Sequence, residues 1–181
     1  MVMMNGDHEI DGAPHFLNVP TSVLPDFGRL LVVSSRIERT VYQLAELLDI
    51  PRLTNGRTWP LRKDCLAIEK ALAPSVIAAS PVRPEWAQQV QSWVGRVPDA
   101  MDDHRNRLAH SHYFSLYDGE GGWVAARSNR HNDPRHYLQY GGSDIRQATA
   151  DLVDLSNEGT QLLGDALSWR QENGYPSLLK G

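Results

Sequence analysis

"PDFGRLLVVSSRIERTVYQLAELLDIP", residues 25–51, decides the fold. Leu30, Val33, Ile37, Val41, Leu44 and Leu48 recur at intervals of three and four. That spacing lays side chains along one stripe of an α-helix, whereas a strand would alternate at two. Asp26 reads as the N-cap and Pro51 as the stop. A stripe of this length calls for other helices to cover it.

Working outward, the same period returns. "RLTNGRT", residues 52–58, is a turn-rich loop. A second helix is expected from about Pro60, with Leu61, Cys65, Ile68 and Leu72 as its stripe and Pro74 as its end or kink. "SPVRPEW" opens another, with Pro84 in its first turn and Trp86, Val90, Trp93, Val94 and Val97 on one side. Pro98 is expected to break or bend it, and a further helix to follow from Asp99. The last helix is capped by Ser143 and Asp144 and striped by Ile145, Ala148, Leu152, Leu155, Gly159, Leu162, Ala166 and Trp169. Gly159 weakens that helix and points to a close approach there.

One region departs from the helical period. "HYFSLYDGEGGWVAARS", residues 112–128, has two aromatic and β-branched arms around a glycine-rich turn, the pattern of a β-hairpin. A short strand is expected at "HYLQY". The expected fold class is therefore mainly all-α: an up-down bundle of four to five helices with an inserted hairpin before the last helix. An extended arm is expected over 1–25, a helical domain over 26–175 and a tail over 176–181.

Composition narrows the function classes. The chain has 181 residues, enough for one sizeable core. The net charge of −4 excludes a generic polyanion binder, so any nucleic-acid contact must come from a local basic patch. The single cysteine, Cys65, falls on an apolar stripe and fits a reducing, cytoplasmic setting without disulfides. No apolar run approaches the roughly 20 residues needed to span a bilayer, so no membrane partner is expected. Five histidines (His104, His110, His112, His131 and His136) lack Cys pairs or HExxH spacing, and neither metal nor cofactor is expected. The glycines of "DGEGG" lack the strand-to-helix context of a phosphate loop.

The candidate chemistry lies in "DDHRNRLAHSHY", residues 102–113. On a regular α-helix Met101 and Leu108 share the core face, and Asp103, Asn106 and His110 line up on another. Spacing alone is weak support, because seven histidines among many arginines produce such pairs by chance; "RHNDPRH" contains one. Within the stretch, "RNRLAH", Arg105 to His110, resembles the Arg-x4-6-His motif of the HEPN superfamily (higher eukaryotes and prokaryotes nucleotide-binding). Asn106 matches the polar residue that typically follows the Arg in that motif. Arg107 and His112 form a second Arg-x4-His pair, but Leu108 follows Arg107, so the Asn signature favours the first pair. Beyond the motif the resemblance is architectural.

The resemblance implies a metal-independent endoribonuclease, commonly a homodimer with two motifs facing one cleft. RNA carries its own nucleophile, the 2′-hydroxyl. His110 would move protons, Arg105 would brace the phosphate bidentately, and Asn106 would orient the imidazole or bind a phosphate oxygen. Asp103, Arg107 and His112 would support them. Family analogy extends this to a toxin or phage-defence effector with an antitoxin partner. One branch of the family ends its motif in His-x-Tyr; here Ser111 and His112 follow His110, and Tyr113 comes one place late. The alternative is a catalytically silent module binding a nucleotide or a protein partner. The segment carrying Arg127, Arg130, Arg135 and Tyr137 mixes cations with aromatics, as an RNA-contacting loop would.

Overall fold

The computed structural model describes residues 24–50, 61–78, 80–106, 112–115, 123–127, 138–140 and 142–174. The tail expected over 176–181 and all but the last two residues of the arm expected over 1–25 lie outside them. The described residues are mostly helical: α1 (Leu24–Leu47), α2 (Leu61–Ala71), the short α3 (Pro74–Ile77), α4 (Pro84–Ala100) and α5 (Gly142–Asn173). A π-helical segment, Met101–Asn106, continues α4 directly.

Each helix buries the stripe its sequence spacing requires. Leu30, Val33, Ile37, Val41, Leu44 and Leu48 of α1 are buried, as are Cys65, Ile68 and Leu72 at α2. Trp86, Val90, Trp93, Val94 and Val97 of α4 meet Ile145, Leu152, Leu155, Leu162, Ala166 and Trp169 of α5 in one core. The buried hydroxyl of Ser34 donates to the Leu30 carbonyl at 2.7 Å, and that of Thr40 to the Arg36 carbonyl at 3.0 Å.

Several helix ends differ from the sequence expectation. α1 starts at Leu24, with Pro25 in its first turn, so Asp26 lies inside the helix. It does not cap: its carboxylate stands 3.5 Å from Arg29 and 3.6 Å from Arg146. The stop is not Pro51. The Asp49 N–H donates to the Glu46 carbonyl at 3.1 Å and the Ile50 N–H to Ala45 at 3.0 Å. Asp49 has φ +49°, so a left-handed C-cap closes the helix before the proline is reached. Ser143 and Asp144 likewise sit within the first turn of α5, not ahead of it. Pro98 neither breaks α4 nor starts a new helix; the chain runs through it into the π segment.

Helix direction also departs from strict alternation. The Trp86 indole donates to the Leu162 carbonyl at 2.9 Å, and the Trp93 indole to Leu155 at 2.8 Å. Partners that ascend on α4 descend on α5, so these two run antiparallel. Arg62 meets Asp99, and Gln91 donates to the Glu69 carbonyl, so α2 is antiparallel to α4 as well. The starts of α1 and α5 meet at Asp26 and Arg146, and the two helices pack along their lengths. α1, α2 and α5 therefore point one way and α4 the other. This corrects the up-down order expected from the sequence. A hydrophobic pattern marks which face of a helix is buried and carries no signal of the direction in which the helix runs.

Three short strands, β1 (His112–Ser115), β2 (Trp123–Arg127) and β3 (Leu138–Tyr140), pair antiparallel in the order β1-β2-β3. Tyr113 faces Ala125 in the ladder, and Ala126 faces Gln139. The "DGEGG" turn expected between the first two lies outside the described residues.

Candidate active site

The candidate residues follow α4 because α4 is anchored. Val97 and Met101 are buried, which pins the start of the π segment to the core. The segment packs against α4, α5 and α1. Its polar residues reach two neighbouring helices. On one side Arg62 of α2 forks: its Nη2 donates to Asp99 Oδ1 at 3.0 Å and to Asp102 Oδ2 at 3.3 Å. Those two hydrogen bonds, Asp99 first, raise the affinity of the Arg62 guanidinium for its proton. On the other side Nε2 of His104 stands 3.5 Å from Oδ2 of Asp151 on α5. The Gln147 side chain, one turn earlier on α5, donates to the other oxygen, Oδ1, at 2.8 Å.

The π winding changes the face arithmetic. In a π-helix the backbone bonds run from residue i to i+5, so the chain turns less per residue than in an α-helix. The alignment of Asp103 with Asn106 expected from a 3.6-residue turn does not apply within Met101–Asn106. Asp103 is exposed and Arg105 is half-buried, with its Nε shielded from solvent. Asn106 closes the segment. Arg107 and His110 lie outside the described residues.

His112 falls on β1, beside Ala126 of β2, and not on the helix that "DDHRNRLAHSHY" suggests. Arg127 is the last residue of β2, facing Leu138, and not part of the loop that follows. The register thus brings His112 to the end of the sheet that carries Arg127. Arg130, Arg135 and Tyr137 lie outside the described residues.

Sequence reasoning passed over three residues that the fold brings to the segment: Arg62, Gln147 and Asp151. Each reads locally as a charged or polar residue on a solvated helix face, and its partner is far off in the chain. His104 was legible only as one of many histidines; its carboxylate partner comes from α5. Among the described residues no group of three or more His, Cys, Asp or Glu is arranged to hold a metal ion. Nor is any described helix long and apolar enough to cross a membrane. No family model, no curated protein and no solved structure matches the chain.

Proposed function

We propose that the chain is a HEPN-like, metal-independent endoribonuclease that acts as a homodimer in the cytoplasm. The observation that carries this reading is the winding of Met101–Asn106. Arg105 and His110 are five residues apart. On a strict α-helix five residues leave them about 140° apart. Five is the hydrogen-bond step of a π-helix, whose wider turn leaves residues i and i+5 closer in angle than an α-helix does. π segments are also frequent at functional sites.

In this reading Arg105 braces the phosphate, His110 takes the 2′-hydroxyl proton, and Asn106 binds a phosphate oxygen or orients the imidazole. Asp103, Arg107 and His112 support from the periphery. The rival pair, Arg107 with His112, is disfavoured because His112 belongs to a strand. A second copy completes the cleft. Arg127, Arg130 and Arg135 hold RNA phosphates in this reading, and Tyr137 stacks on a base. A toxin or phage-defence role with an antitoxin partner fits this activity by family analogy alone.

The test is cleavage of labelled RNA in excess chelator. Wild type cuts; His110→Ala and Arg105→Ala lose about 100-fold or more, the usual worth of a proton-transfer group or a charge-stabilising donor. Equal cleavage by the variants, or none by wild type, overturns the proposal. The half-burial of Arg105 favours a second reading, a catalytically silent module that holds a nucleotide or a protein partner. RNA binding by wild type without cleavage would support that one.

A further inference from the structure

We infer that the outer face of α1, with the start of α5 beside it, is a docking face for the phosphate backbone of single-stranded RNA. Its assignment to RNA rests on the ribonuclease reading, and its position does not.

The face begins as a row of arginines. Arg29, Arg36 and Arg39 of α1 are all exposed. With Val32 they follow steps of three, four and three, so one side of the helix carries them. The row runs about 15 Å along the helix. Glu38 is the one acid of α1 between Arg29 and Arg39. It stands about 100° around the helix from Arg39 and about 160° from Arg36. Arg146 of α5 widens the row. It and Arg29 share Asp26, at 3.6 and 3.5 Å, and they line a groove of about 290 Å³ with Thr149, Val153 and Asp154. Four arginines thus stand against two carboxylates.

α5 turns its other acids away from this row. Asp144, Asp151, Glu158, Asp165 and Glu172 recur every seven residues and share one stripe. That stripe runs past α4 and the π segment: Glu158 pairs with Arg96, and Asp151 meets His104 at 3.5 Å. Two residues turn an α-helix by about 200°, so Val153 lies nearly opposite Asp151. The stripe beside α1, with Arg146, Thr149, Val153 and Asn157, holds no acid. A chain of net charge −4 therefore keeps one positive face.

The chemistry of that face suits phosphate. A guanidinium meets two phosphate oxygens at once and sheds water readily. Among the described residues no carboxylate pairs with Arg36 or Arg39, so both are available to a ligand. The apolar content of the face, Val32 and Val153, is too small to seat a helix in a lipid interface.

The probe is a short labelled 2′-O-methyl RNA. It offers phosphates but no 2′-hydroxyl to attack, so binding is read apart from cleavage. Wild type should bind it, more weakly as salt rises. Arg29→Gln, Arg36→Gln and Arg39→Gln together should weaken binding about tenfold or more. They should also lower the slope of log affinity against log salt by about 2, at roughly 0.7 per phosphate contact. Wild type and variant share every other cation, so the difference isolates the row. Arg96→Gln, on the acidic side of α5, should bind as wild type does. If the triple variant melts early, Arg36→Gln alone takes its place, with a slope lower by about 0.7. Unchanged affinity and slope overturn the inference and leave the ribonuclease reading standing. Equal competition by poly-glutamate of matched charge, or tighter binding to phosphatidylserine vesicles than to the RNA, also overturns it. Binding through the row by a wild type that cuts no natural RNA overturns the ribonuclease reading and leaves the face standing.

Discussion

Cys65 carries a burial effect that a reagent can read. Burial first, then the carboxylates of Asp64 and Glu69, pushes its thiol from an ordinary 9.0 up to about 12. The thiolate is the reactive form, so at pH 8 a thiol reagent should label the native protein about a thousandfold more slowly than a free cysteine. Labelling at the free rate without denaturant would contradict the burial. The same displacement has a signed effect on stability. The folded state holds this proton more tightly than the unfolded chain, so the contribution is complete below about pH 9. It is lost as pH rises from there toward 12. Cys65→Ala should therefore lose less stability than wild type between pH 9 and pH 11 in parallel urea titrations.

Surface charges at the π segment are a different case. Arg62 and its partners Asp99 and Asp102 are more than half exposed. Solvent screens exposed ion pairs. Arg62→Met should leave the urea midpoint close to that of wild type, and a large loss would mean the fork holds the segment in place.

At the scale of elements, the contact between α4 and α5 is the most demanding. Trp93 is fully buried, and its indole is committed to the Leu155 carbonyl. A Cβ on Gly159 would stand 2.6 Å from Cε2 of that ring. Alanine there adds about 1 kcal/mol of helix propensity. Against this stands the cost of overpacking a ring that has no room to turn, about 1–3 kcal/mol or more. The clash wins, and Gly159→Ala should lower the melting temperature. In a Trp93→Phe background the same change should cost at least about 0.5 kcal/mol less, because the two sites share one space. A rise in stability from Gly159→Ala alone would contradict the packing.

The helical stripes were legible because burial imposes a period of 3.6 on every packed face. Leu30 through Leu48 and Ile145 through Trp169 could be placed from spacing alone, and Gly159 could be flagged as a point of close approach. Three things were not legible. The π winding of Met101–Asn106 spans six residues, too few to impose a period. The C-cap of α1 rests on a left-handed Asp49, a conformation that Asp adopts but does not announce. The pairing of His104 with Asp151 depends on how α5 lies across the end of α4, which no local pattern encodes.

At the scale of the whole molecule, the net charge of −4 sets a condition on the proposed activity. A chain without general affinity for polyanions must hold RNA by local cations, and those contacts weaken with salt. The proposed site also needs a second copy. Sedimentation velocity at micromolar concentration should give a two-chain particle. Specific activity should fall on dilution below the dissociation constant of that pair. A monomer whose specific activity is independent of concentration would contradict a shared cleft while leaving single-chain chemistry open.

The central claim is that RNA supplies its own nucleophile to a site without metal. The most direct measurement offers wild-type protein a labelled RNA and a copy carrying a single 2′-deoxy sugar at the mapped cut, both in excess chelator. The account predicts that the RNA is cut to a 2′,3′-cyclic phosphate and a 5′-hydroxyl, and that the deoxy copy stays intact at that position. Cleavage of the deoxy position, or activity that vanishes with the chelator, would contradict it.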